Sequence, residues 1–187
     1  PIYTFDGSID DLFVGSEGIG AVAGRFTINN KVMSIERLQA GSGRLQVVGS
    51  GTIAFDDAYT SDLRLRFQDT ALDPYLKFVM SEDISPYARI VVGGGMTVKG
   101  PLATPESLTV DTTIDDASLT LADYNLTNDG PIRLGFDKGV TQLTAFKLKG
   151  SNTNLTGSGA VDARARTVDI KADGDASLSI LQLKYPN

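Results

Sequence analysis

The chain has 187 residues, enough for one large domain or one continuous sheet, and its 41% hydrophobic content can supply a substantial core. It contains no Cys, no His and no Trp, which excludes thiol chemistry, imidazole acid–base catalysis and His or Cys metal sites. Its 17 basic and 23 acidic residues give a formal charge of -6, and the basic residues are scattered singly, so we expect no nucleic-acid partner. We therefore expect a protein that is not an enzyme and carries no cofactor.

The first residues, Pro1 to Phe5, have the composition of a strand interior, with no initiator Met or signal peptide before them. No apolar run approaches the about 20 residues that a membrane helix requires. We therefore expect residues 1–187 to be a single β-sheet domain, cut from a longer repetitive protein whose anchor lies outside this chain. Residues 1–30 follow the strand pattern less clearly than the rest.

Strict alternation of apolar and polar residues, which is the period of a β-strand, dominates the chain from residue 44 onward. Arg64, Arg133 and Asp169, for example, each lie between two apolar residues. Each predicted strand therefore has one apolar face and one wet face. The candidate residues of the apolar face are Leu63, Leu65, Phe67, Ile90, Val92, Met96, Val98, Leu108, Val110, Leu119, Leu121, Ile132, Leu134, Phe136, Phe146, Leu148, Leu155, Val161, Val168 and Ile170.

Turn-forming residues separate these alternating runs and predict short strands joined by tight turns. They are Asn29-Asn30, Asp56-Asp57, Asp115-Asp116, Asn128 to Pro131, and Asp137 to Gly139. The acidic pairs, and a further predicted turn at Asp173-Gly174-Asp175, could offer oxygen ligands to calcium. None reproduces a calcium-binding loop, so the residue pattern favours solvated turns.

Helix signals are few. Asp73 could cap a two-turn helix over residues 74–79, with Pro74 at its first position. Residues 178–183 could form a strand or a second such turn. The predicted fold class is therefore all-β, an elongated sheet with at most one or two short helices.

The apolar face allows more than one architecture. Composition alone favours a closed sandwich, in which two such faces pack against each other. The alternative is a curled sheet, left partly open, whose apolar face holds a hydrocarbon guest. A third possibility, a piece of an outer-membrane barrel, is disfavoured because the runs are mostly shorter than about 9 to 11 residues and Trp is absent.

The order of these elements resembles the TamB and AsmA-like group of bacterial envelope proteins over about residues 32–183. The stretches that carry the resemblance are GSGRLQVVGSG at 41–51, LDPYL at 72–76, GGMTVKGPL at 94–102, NDGPIRL at 128–134, LKGSNTNLTG at 148–157 and ASLSILQ at 176–182. These are compositional patterns and not catalytic signatures.

The resemblance implies a taco-like sheet, or open half-pipe, with a hydrophobic concave interior, in a periplasmic segment of an inner-membrane-anchored envelope protein. It also implies that the candidate residues line a passive groove for phospholipid acyl chains during transport toward the outer membrane. The TamB branch further implies an Omp85-class barrel partner and a chaperone-like role for nascent outer-membrane proteins, by β-augmentation. A structural or adhesive β-domain with a closed core stays open as the alternative from another class.

Overall fold

In the computed structural model of the protein, residues 1–14, 17–72, 88–121, 124–150, 152–162 and 164–175 are described. The helix predicted over residues 74–79 and the segment 178–183 both lie outside these ranges. Among the described residues, no helix is long and apolar enough to cross a membrane.

All the described strands belong to one antiparallel sheet of 12 strands, and the other regular element among the described residues is a single 3-10 turn at Pro105–Ser107. The prediction of an all-β chain built as one extended sheet is confirmed. The strands are β1 Ile2–Val14, β2 Glu17–Asn29, β3 Val32–Gly41, β4 Gln46–Ala54, β5 Thr60–Ala71, β6 Ala88–Pro101, β7 Thr109–Leu121, β8 Tyr124–Asn128, β9 Ile132–Asp137, β10 Val140–Gly150, β11 Thr153–Asp162 and β12 Thr167–Asp175.

The sheet is a meander in which each strand pairs with the next along the chain, with one exception at β8 and β9. Both of these strands lie between β7 and β10: β8 pairs with the end of β7 and β9 with its beginning. Together they occupy one strand position, interrupted at residues 129–131. The outermost strands, β1 and β12, pair on one side, with β2 and β11, so the described sheet has two free edges.

Local turn chemistry explains several hairpins. Asn30 and Lys31 connect β2 to β3 with φ values of 47° and 60°, the positive pair that a two-residue type I′ turn requires. Lys138 and Gly139 do the same between β9 and β10, with φ values of 49° and 85°. The turns predicted at residues 29–30, 56–57, 128–131 and 137–139 are confirmed.

Two predicted turns are wrong. Asp115 and Asp116 lie inside β7, where the pairing of Gly94 with Ile114 is followed by that of Gly93 with Asp116, so that one residue of β7 bulges out. A bulge shifts the alternation by one residue without ending the strand, which is why the sequence resembled two strands. Residues 173–175 form the end of β12 and not a turn.

No group of three or more potential metal ligands occurs among the described residues.

Further bulges interrupt β5 at residues 68–69 and β10 at residues 144–145. With the β7 bulge and the break between β8 and β9, they form a line across the sheet from β5 to β10. Bulges bend their strands and increase local twist. The best-buried residues lie along or beside this line: Val92 is 3% exposed, Thr70 directly opposite it is 4% exposed, and Leu126 is 4% exposed.

Candidate functional site

Two neighbouring rows of directly paired residues cross the whole sheet on one face. Residues opposite each other in an antiparallel pair have side chains on the same face, so the register defines each row. The central row consists of Gly7, Gly24, Leu38, Gly49, Leu65, Met96, Thr112, Leu134, Leu143, Gly159 and Ile170. The aromatic row consists of Phe5, Phe26, Ile35, Gly51, Leu63, Val98, Val110, Phe136, Thr141, Val161 and Val168.

We call the face that carries these rows the apolar face and the other the polar face. Neither row contains a charged residue. At about 4.8 Å between neighbouring strands, each row is roughly 48 Å long. This apolar surface is continuous from one free edge of the sheet to the other.

No described element covers the apolar face. Apart from the short 3-10 turn beside β6, the elements in extensive contact are neighbours within the sheet. In β4 the apolar-face residues are half-buried and most of the polar-face residues are exposed, as expected for a sheet with water on both sides. The buried apolar residues among those described are only Ile35, Ala71, Val92 and Leu126. The described part of the chain therefore lacks the second layer that a closed sandwich requires.

The register brings the candidate residues of the sequence analysis onto the apolar face. Besides those in the two rows, Phe67 and Ile132 belong to a third row through Gly94 and Ile114. Leu108 immediately precedes β7 on the same alternation, and the register position of Leu121, the last residue of β7, belongs to this face. The remaining candidates share the face by pairing along β6, β7, β10 and β11, and they are Ile90, Val92, Leu119, Phe146, Leu148 and Leu155. That these residues line a groove for lipid stays a prediction.

Exposure varies along this face. Val168 at 67% and Ile170 at 57% are the most open of the candidates with described side chains, because no described strand pairs with β12 on its outer side. Val161 is 39% exposed and Val92 is buried at 3%. The other candidates with described side chains are half-buried, packed against their neighbours in the sheet but still open to a guest.

The apolar face also contains residues of the first strands that are not among the candidates. Tyr3 and Phe5, each 54% exposed, and Ile9, 57% exposed, lie on the apolar face of β1. Their alternation with Thr4, Asp6 and Ser8 was a signal that could have identified them. Other missed residues of this face are Val22, Phe26, Ile28, Met33, Ile35, Leu38, Ile114 and Leu143.

Two cavities of about 970 and 760 Å³ lie in the middle of the sheet. Most of the residues that border them belong to the polar face, including Arg64 and Arg66. Of the candidate residues, Phe67 and Val92 border the larger cavity, and Leu65 and Met96 the smaller. The candidates therefore contribute little to either cavity, and what they form is an extended surface.

The ion pairs among the described residues lie on the polar face. Arg25 binds Asp6 at 2.7 Å, which raises the pKa of Arg25. Lys149 donates to Asp129 at 2.9 Å, which lowers the pKa of Asp129. Both pairs are exposed to water. The charges that they contribute lie on the polar face, and the two rows of the apolar face contain none.

The fold and this surface define the class of protein, an all-β protein whose described strands form one amphipathic sheet, with an apolar face and two edges that no described element covers. No family model, no curated protein and no solved structure matches this chain. Membership of the TamB and AsmA-like group stays a prediction.

Proposed function

We propose that the apolar face binds lipid acyl chains, as part of phospholipid transport from the inner to the outer membrane. The observation that supports this proposal is the pair of apolar rows that cross the whole sheet with no described element above them. The placement in the periplasm, within a longer anchored protein, rests on the family resemblance alone.

The hydrophobic effect supplies the affinity. Moving one methylene from water onto an apolar surface contributes about 0.8 kcal/mol of favourable binding free energy when the methylene is fully buried. On an open face the contribution is smaller. Several methylenes in contact with the rows are therefore enough to hold a chain while its headgroup stays in water. Because no charge interrupts either row, successive positions offer similar contacts and movement along the sheet meets no large barrier. The protein is passive in this function, and the direction of transport comes from elsewhere.

A matched pair of substitutions on β6 tests the proposal. Met96 lies in the central row, opposite Leu65 and Thr112, whereas the next residue, Thr97, lies on the polar face. We expect the purified chain to carry phospholipid in native mass spectrometry, or to take it up from vesicles. Met96→Arg should abolish this binding, because it places a charge in the row, and Thr97→Arg should leave it unchanged.

Both variants are expected to keep the circular dichroism spectrum of the β-sheet, because both positions are half-buried and no described element forms a second layer over either face. The proposal fails if the chain neither carries nor recruits lipid. It also fails if the two arginine variants bind lipid equally well.

The free edges favour a second function, β-augmentation of nascent outer-membrane proteins with an Omp85-class barrel as partner. β1 exposes unpaired backbone groups along 13 residues and carries the exposed Ile2 and Phe13 beside its apolar-face residues. A photoreactive residue at Ser8 should then crosslink to amphipathic strand peptides, and Met96→Arg should leave that crosslink intact. Nothing among the described residues favours the alternative of a structural or adhesive module with a closed core.

A further inference from the structure

The edge of the described sheet at β12 carries two opposite charges that have no partner among the described residues. Every residue of β12 is exposed. Asp169 and Lys171 lie on its polar face opposite Ala160 and Ser158 of β11, and no ion pair or hydrogen bond to either side chain occurs among the described residues. Beside them, Val168 and Ile170 expose 67% and 57% of their surface on the apolar face.

We infer that β12 pairs with β12 of a second copy of this chain, antiparallel, about a two-fold axis that is perpendicular to the sheet and passes midway between the two Ile170 residues. Ile170 then lies opposite Ile170 of the second copy. Asp169 of each copy lies opposite Lys171 of the other, and Val168 lies opposite Ala172. Such an axis keeps both apolar faces on the same side, so the two apolar surfaces become one.

The charges of β12 select this register over its neighbours. A shift of two residues in one direction places Asp169 opposite Asp169, and in the other direction it places Lys171 opposite Lys171. Like charges directly opposite each other destabilise a strand pair. A shift of one residue would put the apolar side chains of one copy beside the polar side chains of the other.

The other free edge does not offer the same pairing. β1 contains Asp6, Asp10 and Asp11 but neither Lys nor Arg, so two β1 strands repel each other. β1 and β12 run in the same direction within the sheet, so copies joined end to end would need a parallel pair in an otherwise antiparallel structure. Self-association is therefore expected at β12.

Charge exchange at two positions tests the inference. Sedimentation of the whole chain, of mass 19.8 kDa, should reveal a concentration-dependent dimer. Asp169→Lys or Lys171→Asp alone places like charges opposite each other at two points and should raise the dissociation constant at least about tenfold. The double variant D169K/K171D restores opposite charges and should dimerise again. An equimolar mixture of the two single variants should form a heterodimer, because one copy then carries two cations and the other two anions.

A wild-type chain that stays monomeric at every concentration would overturn the inference, as would a double variant or a mixture that stays monomeric. A dimer unaffected by both single substitutions would also overturn it, because the contact would then use β1 or the apolar face. The substituted side chains lie on the polar face, so lipid uptake should be unchanged in all variants. Failure here is thus distinguishable from failure of the proposed function.

Discussion

Leu65 lies over Gly49, the residue directly opposite it on the neighbouring strand. A Cβ atom added at Gly49 would come within 2.5 Å of Leu65 Cδ2 and within 3.2 Å of the Arg64 carbonyl oxygen. Gly157 and Phe146 form a similar pair, since a Cβ at Gly157 would meet the ring of Phe146 at 2.6 Å. Large side chains thus cover opposite glycines, which packs the apolar face although no described element lies over it.

The pair of Gly49 and Leu65 predicts a coupled effect. Gly49→Ala should destabilise the protein by about 1–2 kcal/mol, because Leu65 must leave its position. In a Leu65→Ala background the same change should cost less, because the displaced side chain is gone. Urea unfolding of the four variants measures the coupling. Strictly additive free energies would show that Leu65 does not constrain Gly49.

Burial beside the line of bulges predicts unequal effects of one substitution. Val92→Ala should lower the free energy of unfolding by about 2 kcal/mol, because Val92 is 3% exposed and packs opposite Thr70. Val48→Ala, at a residue 47% exposed on the polar face, should change it by less than about 0.5 kcal/mol. Chemical denaturation measures both. Equal losses would mean that the line of bulges is no better packed than the rest of the sheet.

Asn128 joins the two parts of the interrupted strand to β7. Its side chain accepts a hydrogen bond from the Ala117 N–H at 2.7 Å and donates to the carbonyl oxygens of Asp115 at 2.7 Å and Gly130 at 2.8 Å. Asn128→Ala should cost about 2–3 kcal/mol, because three hydrogen bonds are lost at a bulge. Hydrogen exchange at the Ala117 amide should accelerate as well.

Asn154→Ala, at an exposed position of β11, is the matched control for Asn128 and should change stability little. Unchanged protection of the Ala117 amide in Asn128→Ala would argue against this role of the side chain.

Asp56 makes stability depend on pH. Its carboxylate accepts hydrogen bonds from the backbone N–H groups of Thr60 at 2.9 Å and Ala58 at 3.1 Å, and the Thr60 bond is the main cause of its lowered pKa. A pKa below the ordinary value of 3.8 means that the stabilisation is present above that value and is lost as the pH falls through the pKa of the folded state.

Asp56→Asn keeps an oxygen acceptor that does not titrate. The thermal midpoint of wild type should therefore exceed that of Asp56→Asn at neutral pH, and the difference should vanish in acid. Asp57→Asn controls for the loss of one charge. A difference that persists in acid would rule out titration of Asp56 as its source.

The β7 bulge illustrates how far the sequence could predict this fold. The alternation around Leu108 and Val110 and the alternation around Leu119 predict two strands, and both alternating segments belong to the single strand β7 and the residue just before it. The opposite parities, with Asp115 and Asp116 between them, resembled a turn. A bulge and a turn use similar residues, and the difference depends on whether β6 continues opposite, which is a long-range contact.

The candidate surface was only partly predictable, because it also depends on long-range contacts. Each candidate residue was found from local alternation, and register alone decided that Leu65, Met96 and Leu134 lie in one row. Leu143 was missed because the bulge at residues 144–145 separates its parity from that of Phe146.

The amino-acid sequence by itself determined which side of most strands is apolar and where four of the turns lie, because both depend on neighbouring residues. Alternation places side chains on opposite faces of any strand, and pairs such as Lys138 and Gly139 accept the positive φ of a tight turn. Tertiary structure decided that β8 and β9 share one strand position, that the rows run unbroken to both edges, and that β12 ends the described sheet with an open side. These features depend on pairing between residues far apart in the chain, and the hydrogen bonds that define them have no local signal.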